Sequence, residues 1–103
     1  MDIELLVVPD CPNEAAAAEL IMTAVADTRV QATVTRTIIA SQDQAQQRGF
    51  VGSPTILLNG SDPFARPDAP PALACRLYPT PDGLRGVPGL RELRQALKRE
   101  AAG

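Results

Sequence analysis

The sequence predicts an α/β fold, a four-stranded mixed sheet with helices on both faces in the order βαβαββα. Three observations carry this expectation. A continuous apolar run over residues 3–8 (IELLVV) is followed by an alanine-rich helical stretch and then by a β-branched stretch, the pattern of a βαβ unit. Two further short apolar runs, residues 55–58 and 73–78, fit an antiparallel pair of strands. An amphipathic stretch closes the chain. At 103 residues, the chain suits one domain over 1–103.

The elements follow in order. Residues 3–8 read as a strand buried on both faces, stopped by Pro9. Residues 9–13 (PDCPN) form a turn, with Cys11 expected at the helix N-cap and Pro12 at the first helical position. Residues 14–27 are rich in strong helix formers, and Ala17, Leu20, Ile21, Ala24 and Val25 share one face. Residues 30–39 (VQATVTRTII) alternate and carry β-branched side chains, which predicts a half-buried second strand. Ser41 is a good N-cap for a short helix over 42–48, and Gly49 can close it in a left-handed conformation. The third strand, residues 55–58 (TILL), ends at Asn59-Gly60. Residues 61–72 hold four of the ten prolines and read as an extended loop, either a cover for the third strand with Phe64 as anchor or a mere route for the chain. Residues 73–78 (LACRLY) are expected as the fourth strand. Residues 88–101 are expected as the last helix, with Pro88 at its start and Leu90, Leu93 and Leu97 as its apolar stripe. The expected strand order is 2-1-3-4, with residues 3–8 central.

Composition excludes several functions. The formal net charge is −2, and the basic residues form no stripe with interleaved aromatics, so nucleic acid is not an expected partner. No apolar run approaches the length that spans a bilayer, and the acidic N-terminal residues do not resemble a signal peptide, so a cytoplasmic protein without a membrane partner is expected. The chain has no histidine. That removes Ser-His-Asp and Cys-His nucleophile systems, HExxH zinc sites and any imidazole base. Two cysteines remain, Cys11 and Cys75, and in a reducing compartment both are expected as thiols.

Cys11-Pro12 at the junction of the first strand and first helix, with Gly52-Ser53-Pro54-Thr55 entering the third strand, resembles the thioredoxin superfamily. The turn Gly86-Val87-Pro88-Gly89-Leu90 is similar to the glycine turn of glutaredoxins. The run GFVGSPTILLNGSDPFA, followed by CRLY and PDG, resembles a group of small bacterial thioredoxin-like proteins with Cys-Pro in place of CxxC. The resemblance implies a thioredoxin-like fold with Cys11 as the reactive thiol. It also implies a cis Pro54 packed beside that thiol, and a backbone at Ser53 that pairs with an extended substrate segment. Pro12, Ser53 and Pro54 are then the expected substrate-binding residues.

The physics of Cys11 stands beside that resemblance. A thiolate is the nucleophile and the soft-metal ligand, and a helix N-terminus stabilises it through unpaired N–H donors and the helix dipole. Asp10 and Glu14 oppose ionisation, because a nearby carboxylate disfavours a second negative charge. Cys11 is therefore expected at least partly exposed and moderately activated. Glu14 stands where a CxxC protein has its resolving cysteine, so ordinary dithiol turnover is not available. Cys75 is the candidate resolving residue; the alternative is a buried strand cysteine that acts as a small apolar side chain. Three functions follow. The first is monothiol redox chemistry, with Cys11 attacking a protein or small-molecule disulfide or glutathione adduct, no bound cofactor, and glutathione as co-substrate. The second is capture of a soft metal or organometal by Cys11 with Cys75. The third is a non-catalytic interaction module on the same fold.

Overall fold

The computed structural model describes residues 1–66 and 68–103; Pro67, within the proline-rich loop, lies outside the described residues. The chain forms β1 (Asp2–Val7), α1 (Glu14–Thr28), β2 (Thr33–Ile38), α2 (Gln42–Arg48), β3 (Thr55–Leu58), β4 (Tyr78–Thr80), β5 (Gly83–Arg85) and α3 (Leu90–Ala102). β1 is central. It pairs parallel with β2 and antiparallel with β3, giving a mixed three-stranded sheet in the order β2-β1-β3.

Both faces of β1 are buried over residues 5–7, while Asp2 and Glu4 leave the start of one face partly open. Ile3, Leu5 and Val7 face one side, where Ile56 and Leu58 of β3 join Ala17, Ile21 and Ala24 of α1 and Leu93, Ala96 and Leu97 of α3. Leu6 faces the other side and packs with Ile39, Ala45 of α2 and Phe50. The helices therefore lie on both faces. The small residues on the buried side of α1 let α3 come close, and the expected stripe of α3 holds for Leu93 and Leu97, with Leu90 partly buried. α2 has the expected ends: the Ser41 hydroxyl accepts from Gln44 N at 3.1 Å, and Gly49 closes the helix at φ 62°.

Four expectations are corrected. The sheet has three strands, not four. Residues 73–77 form no named strand, and β4 starts at Tyr78 and pairs only with β5, as a separate hairpin. The position beside β3 is taken by single bridges, Leu58 with Ser61 and Ser53 with Cys75, the latter parallel rather than antiparallel. β2 is shorter than expected and, as an edge strand, exposes Thr33 to Arg36 instead of being half buried. α3 begins at Leu90 with Gly89 as N-cap, two residues later than Pro88 suggests. Finally, Asn13 rather than Cys11 is the N-cap of α1.

Candidate functional site

β1 ends at Val7, and the chain turns sharply at Asp10, whose φ of 58° is left-handed, a conformation that aspartate tolerates better than most residues. Cys11 follows that turn. Its carbonyl accepts from Glu14 N at 3.2 Å, which ties it to the first turn of α1. The Cys11 side chain points into the main core, at 9% exposure. That corrects the expected exposure: α1 starts three residues later than Cys11, so the thiol belongs to the turn tucked beneath the helix rather than to an open cap.

Glu14, expected to oppose a thiolate, is paired. Arg36 of β2 donates to both of its carboxylate oxygens, from Nε to Oε2 and from Nη2 to Oε1 at 3.0 Å. The hydrogen bonds from Arg36 hold the Glu14 carboxyl below its ordinary range, against a smaller opposing effect of desolvation. Its partner therefore comes from a neighbouring strand that sequence spacing does not connect to it. Asp10 stays exposed.

Ser53 is buried at the head of β3, and the Ser53–Pro54 bond is cis, as the resemblance implies. The Ser53 hydroxyl accepts from Val8 N at 3.0 Å, tying the head of β3 to the exit of β1, three residues before Cys11. The backbone of Ser53 is engaged on its other side by the chain itself. Its N–H donates to Ala74 O at 2.8 Å, and its carbonyl accepts from Arg76 N at 3.0 Å. The groups that the resemblance reserves for an extended substrate are thus occupied by residues 74–76. Gly52 allows this approach: at φ 147°, a Cβ there would stand 2.8 Å from Arg76 Cβ.

Cys75 is exposed, and both thiols are free. This inverts the expected burial of the two cysteines. The 74–76 segment lies on the far side of Ser53 from β1, and strands are spaced about 4.8 Å apart. Pro12 is exposed, in the turn after Cys11.

A polar cluster that sequence reasoning missed closes the outer edge of β3. Arg76 is buried and donates from Nη1 to Asp62 Oδ2 at 2.7 Å and to Thr55 Oγ1 at 3.2 Å, and from Nη2 to the Phe64 carbonyl at 2.5 Å. Its guanidinium lies 4.5 Å from the centroid of the Tyr78 ring, a cation–π stack. The Tyr78 hydroxyl donates to Pro54 O at 2.5 Å, and Phe64 meets the Tyr78 ring edge-on at 5.7 Å. Burial pushes the Tyr78 phenol far above its ordinary range, so it stays protonated and remains a donor. Phe64 is the anchor expected in the proline-rich loop, although only partly buried. Arg76 and Tyr78 are two residues apart, the one local hint that they share a face; their partners come from elsewhere in the chain.

Among the described residues, no helix is long and apolar enough to cross a membrane. No protein-family model, curated protein or solved structure matches the chain.

Proposed function

We propose that this chain is a thioredoxin-like thiol protein that uses Cys11 for monothiol disulfide exchange. The observation that supports it best is the junction of three segments: the turn after β1 that carries Cys11, the first turn of α1, and the Ser53–Pro54 head of β3, tied to Val8 by the serine hydroxyl. Glu14, in the first turn beside Cys11, is paired with Arg36 and is not a lone negative charge there.

The chemistry balances with two thiols and one disulfide. The Cys11 thiolate attacks one sulfur of a disulfide, the S–S bond breaks, and the departing thiolate takes a proton from solvent. The product is a mixed disulfide on Cys11. A glutathione thiolate then attacks the outer sulfur, forms a new disulfide with it, and returns Cys11 as a thiolate. Glu14 takes no part in resolution, and Cys75 is not required for it.

Plain alkylation tests this poorly, because exposed Cys75 will react first merely through access. The informative experiment is reaction of the folded protein with glutathione disulfide, followed by mass mapping, in the native chain and in Cys11→Ser and Cys75→Ser variants. Under the proposal, the Cys75→Ser chain forms a Cys11 adduct while it stays folded and releases it when reduced glutathione is added. Modification of Cys75 alone, or adduct formation on Cys11 only after unfolding, would overturn it, and the interaction-module reading would take its place.

A further inference from the structure

The two outer edges of the sheet differ. The edge of β3 is covered by the chain itself, through the Leu58–Ser61 and Ser53–Cys75 bridges. Among the described residues, β2 pairs with β1 alone, and Thr33, Val34, Thr35 and Arg36 are all exposed, so both sides of the strand are open there. The ends of β2 fix where its free backbone groups point. Thr33 N donates to Met1 O at 2.9 Å, and Ile39 N donates to Val7 O at 2.8 Å, so the odd-numbered residues turn toward β1. Backbone direction alternates along a strand, so Val34 and Arg36 turn both N–H and C=O outward.

Such an edge is a template for another strand unless proline, lysine, a bulge or an inward charge guards it. The sequence of β2, TVTRTI, has no proline, glycine or lysine, and its register with β1 runs unbroken from Thr33 to Ile38. Apart from Arg36, every residue in it is β-branched, the type that suits a sheet. Arg36, the one charge, is drawn back to Glu14 of α1, with Nη2 donating to Oε1 at 3.0 Å. The strand is therefore left without a guard.

We propose that two copies of this chain associate through β2, antiparallel about a twofold axis at Thr35, and so join their sheets into one. The strand is complementary to itself in that register. The outward groups of Val34 meet those of Arg36 in the second copy, and the same hydrogen-bonded pair recurs across the axis. Thr35 then faces Thr35, and Thr33 faces Thr37, in non-hydrogen-bonded pairs of matching hydroxyl side chains. An axis at Arg36 would set two like charges opposite each other, whereas the axis at Thr35 sets each Arg36 against the apolar Val34. The contact is small, so the association is weak and depends on concentration. It is independent of the thiol chemistry.

Sedimentation equilibrium of the full chain under reducing conditions, up to about 1 mM, reads the association. The expected result is a reversible monomer–dimer equilibrium. Val34→Lys sets a second positive charge against Arg36 of the other copy and should weaken it by about tenfold or more, with an unchanged circular dichroism spectrum. Val34→Pro should do the same, because it removes an outward N–H and none that bonds to β1. The register is tested in a Cys75→Ser background by mild oxidation with glutathione disulfide. Thr35→Cys should yield a disulfide-linked dimer, because Cα atoms in a non-hydrogen-bonded pair lie about 4.5 Å apart, within reach of a disulfide. Val34→Cys should not, because each Val34 is displaced from its own copy by two residues along the strand. A chain that stays monomeric throughout, a dimer indifferent to Val34→Lys, or cross-linking at 34 as efficient as at 35 would overturn the proposal.

Discussion

The molecule is held together in two different ways. In the frame of β1, α1, β2, α2, β3 and α3, regular ladders and helices place aliphatic side chains on two core faces. Along the outer edge of β3, residues 62–64 and 76–78 are instead joined by a buried arginine and the groups that satisfy it. The frame sums many small apolar contacts, none of which is decisive. The polar edge concentrates its stability in a few contacts of Arg76, since a buried charge without its partner costs several kcal/mol. Frame substitutions should therefore lower stability in proportion to the volume lost, whereas a single break in the polar cluster should release a whole segment.

The largest expected effect breaks the cluster. Asp62→Ala leaves Arg76 buried without its counter-charge and should cost about 3–5 kcal/mol in denaturant unfolding. The double change Asp62→Leu with Arg76→Met should recover most of that loss. A single-variant cost near that of a surface pair, about 1 kcal/mol or less, would show that the polar edge is held by something other than this pair. In the frame, Leu93→Ala opens a cavity at a side chain that is 1% exposed. It should cost about 3 kcal/mol, without increasing hydrogen exchange selectively in residues 59–89. Selective loosening of that stretch would erase the distinction drawn here.

The smallest effect concerns Glu4, on the central strand, which bridges two elements of the frame. It accepts from Thr37 Oγ1 at 2.6 Å and from Arg48 Nη2 at 2.6 Å. Chiefly through the Thr37 hydrogen bond, and with Arg48 adding to it, the Glu4 carboxyl sits below its ordinary value of 4.5. A carboxyl depressed in the folded state contributes stability that is fully present above its unfolded value and is lost as pH falls through the folded one. Glu4→Gln should cost about 1 kcal/mol at neutral pH. The difference from the native chain should shrink steadily as pH drops below 4.5. A difference that is constant with pH would mean that the carboxylate charge contributes nothing.

The frame was legible because its signals are local. Pro54 and Asn59-Gly60 punctuate β3, so residues 55–58 are read with the right bounds; Ser41 and Gly49 do the same for α2. The stretch LACRLY was misread for an equally local reason. Its alternation offers two faces, and hydrophobicity argues for burying Leu73, Cys75 and Leu77. The fold does the reverse: it buries Arg76 and Tyr78 and leaves Leu73, Cys75 and Leu77 exposed. Nothing inside those six residues could announce that Asp62, Thr55, Phe64 and Pro54 supply the missing acceptors.

At the candidate site the division is similar. Cys11 and the cis Ser53–Pro54 bond were expected from motifs. The compensation of Glu14 by Arg36 was not, because it joins a helix start to a strand 22 residues away. Nor was the occupation of the Ser53 backbone by residues 74–76.

By itself, then, the sequence determined the central strand, the helices on its two faces, the ends of α2 and β3, and the absence of any imidazole chemistry. Periodicity, capping and the absence of histidine are properties of neighbouring residues or of composition, and they need no partner to be read. Only the tertiary structure decided which face of 73–78 turns inward, which cysteine meets solvent, and which charges cancel. Burying an arginine is favourable only when acceptors converge on it, and here they come from points 12 to 21 residues earlier in the chain.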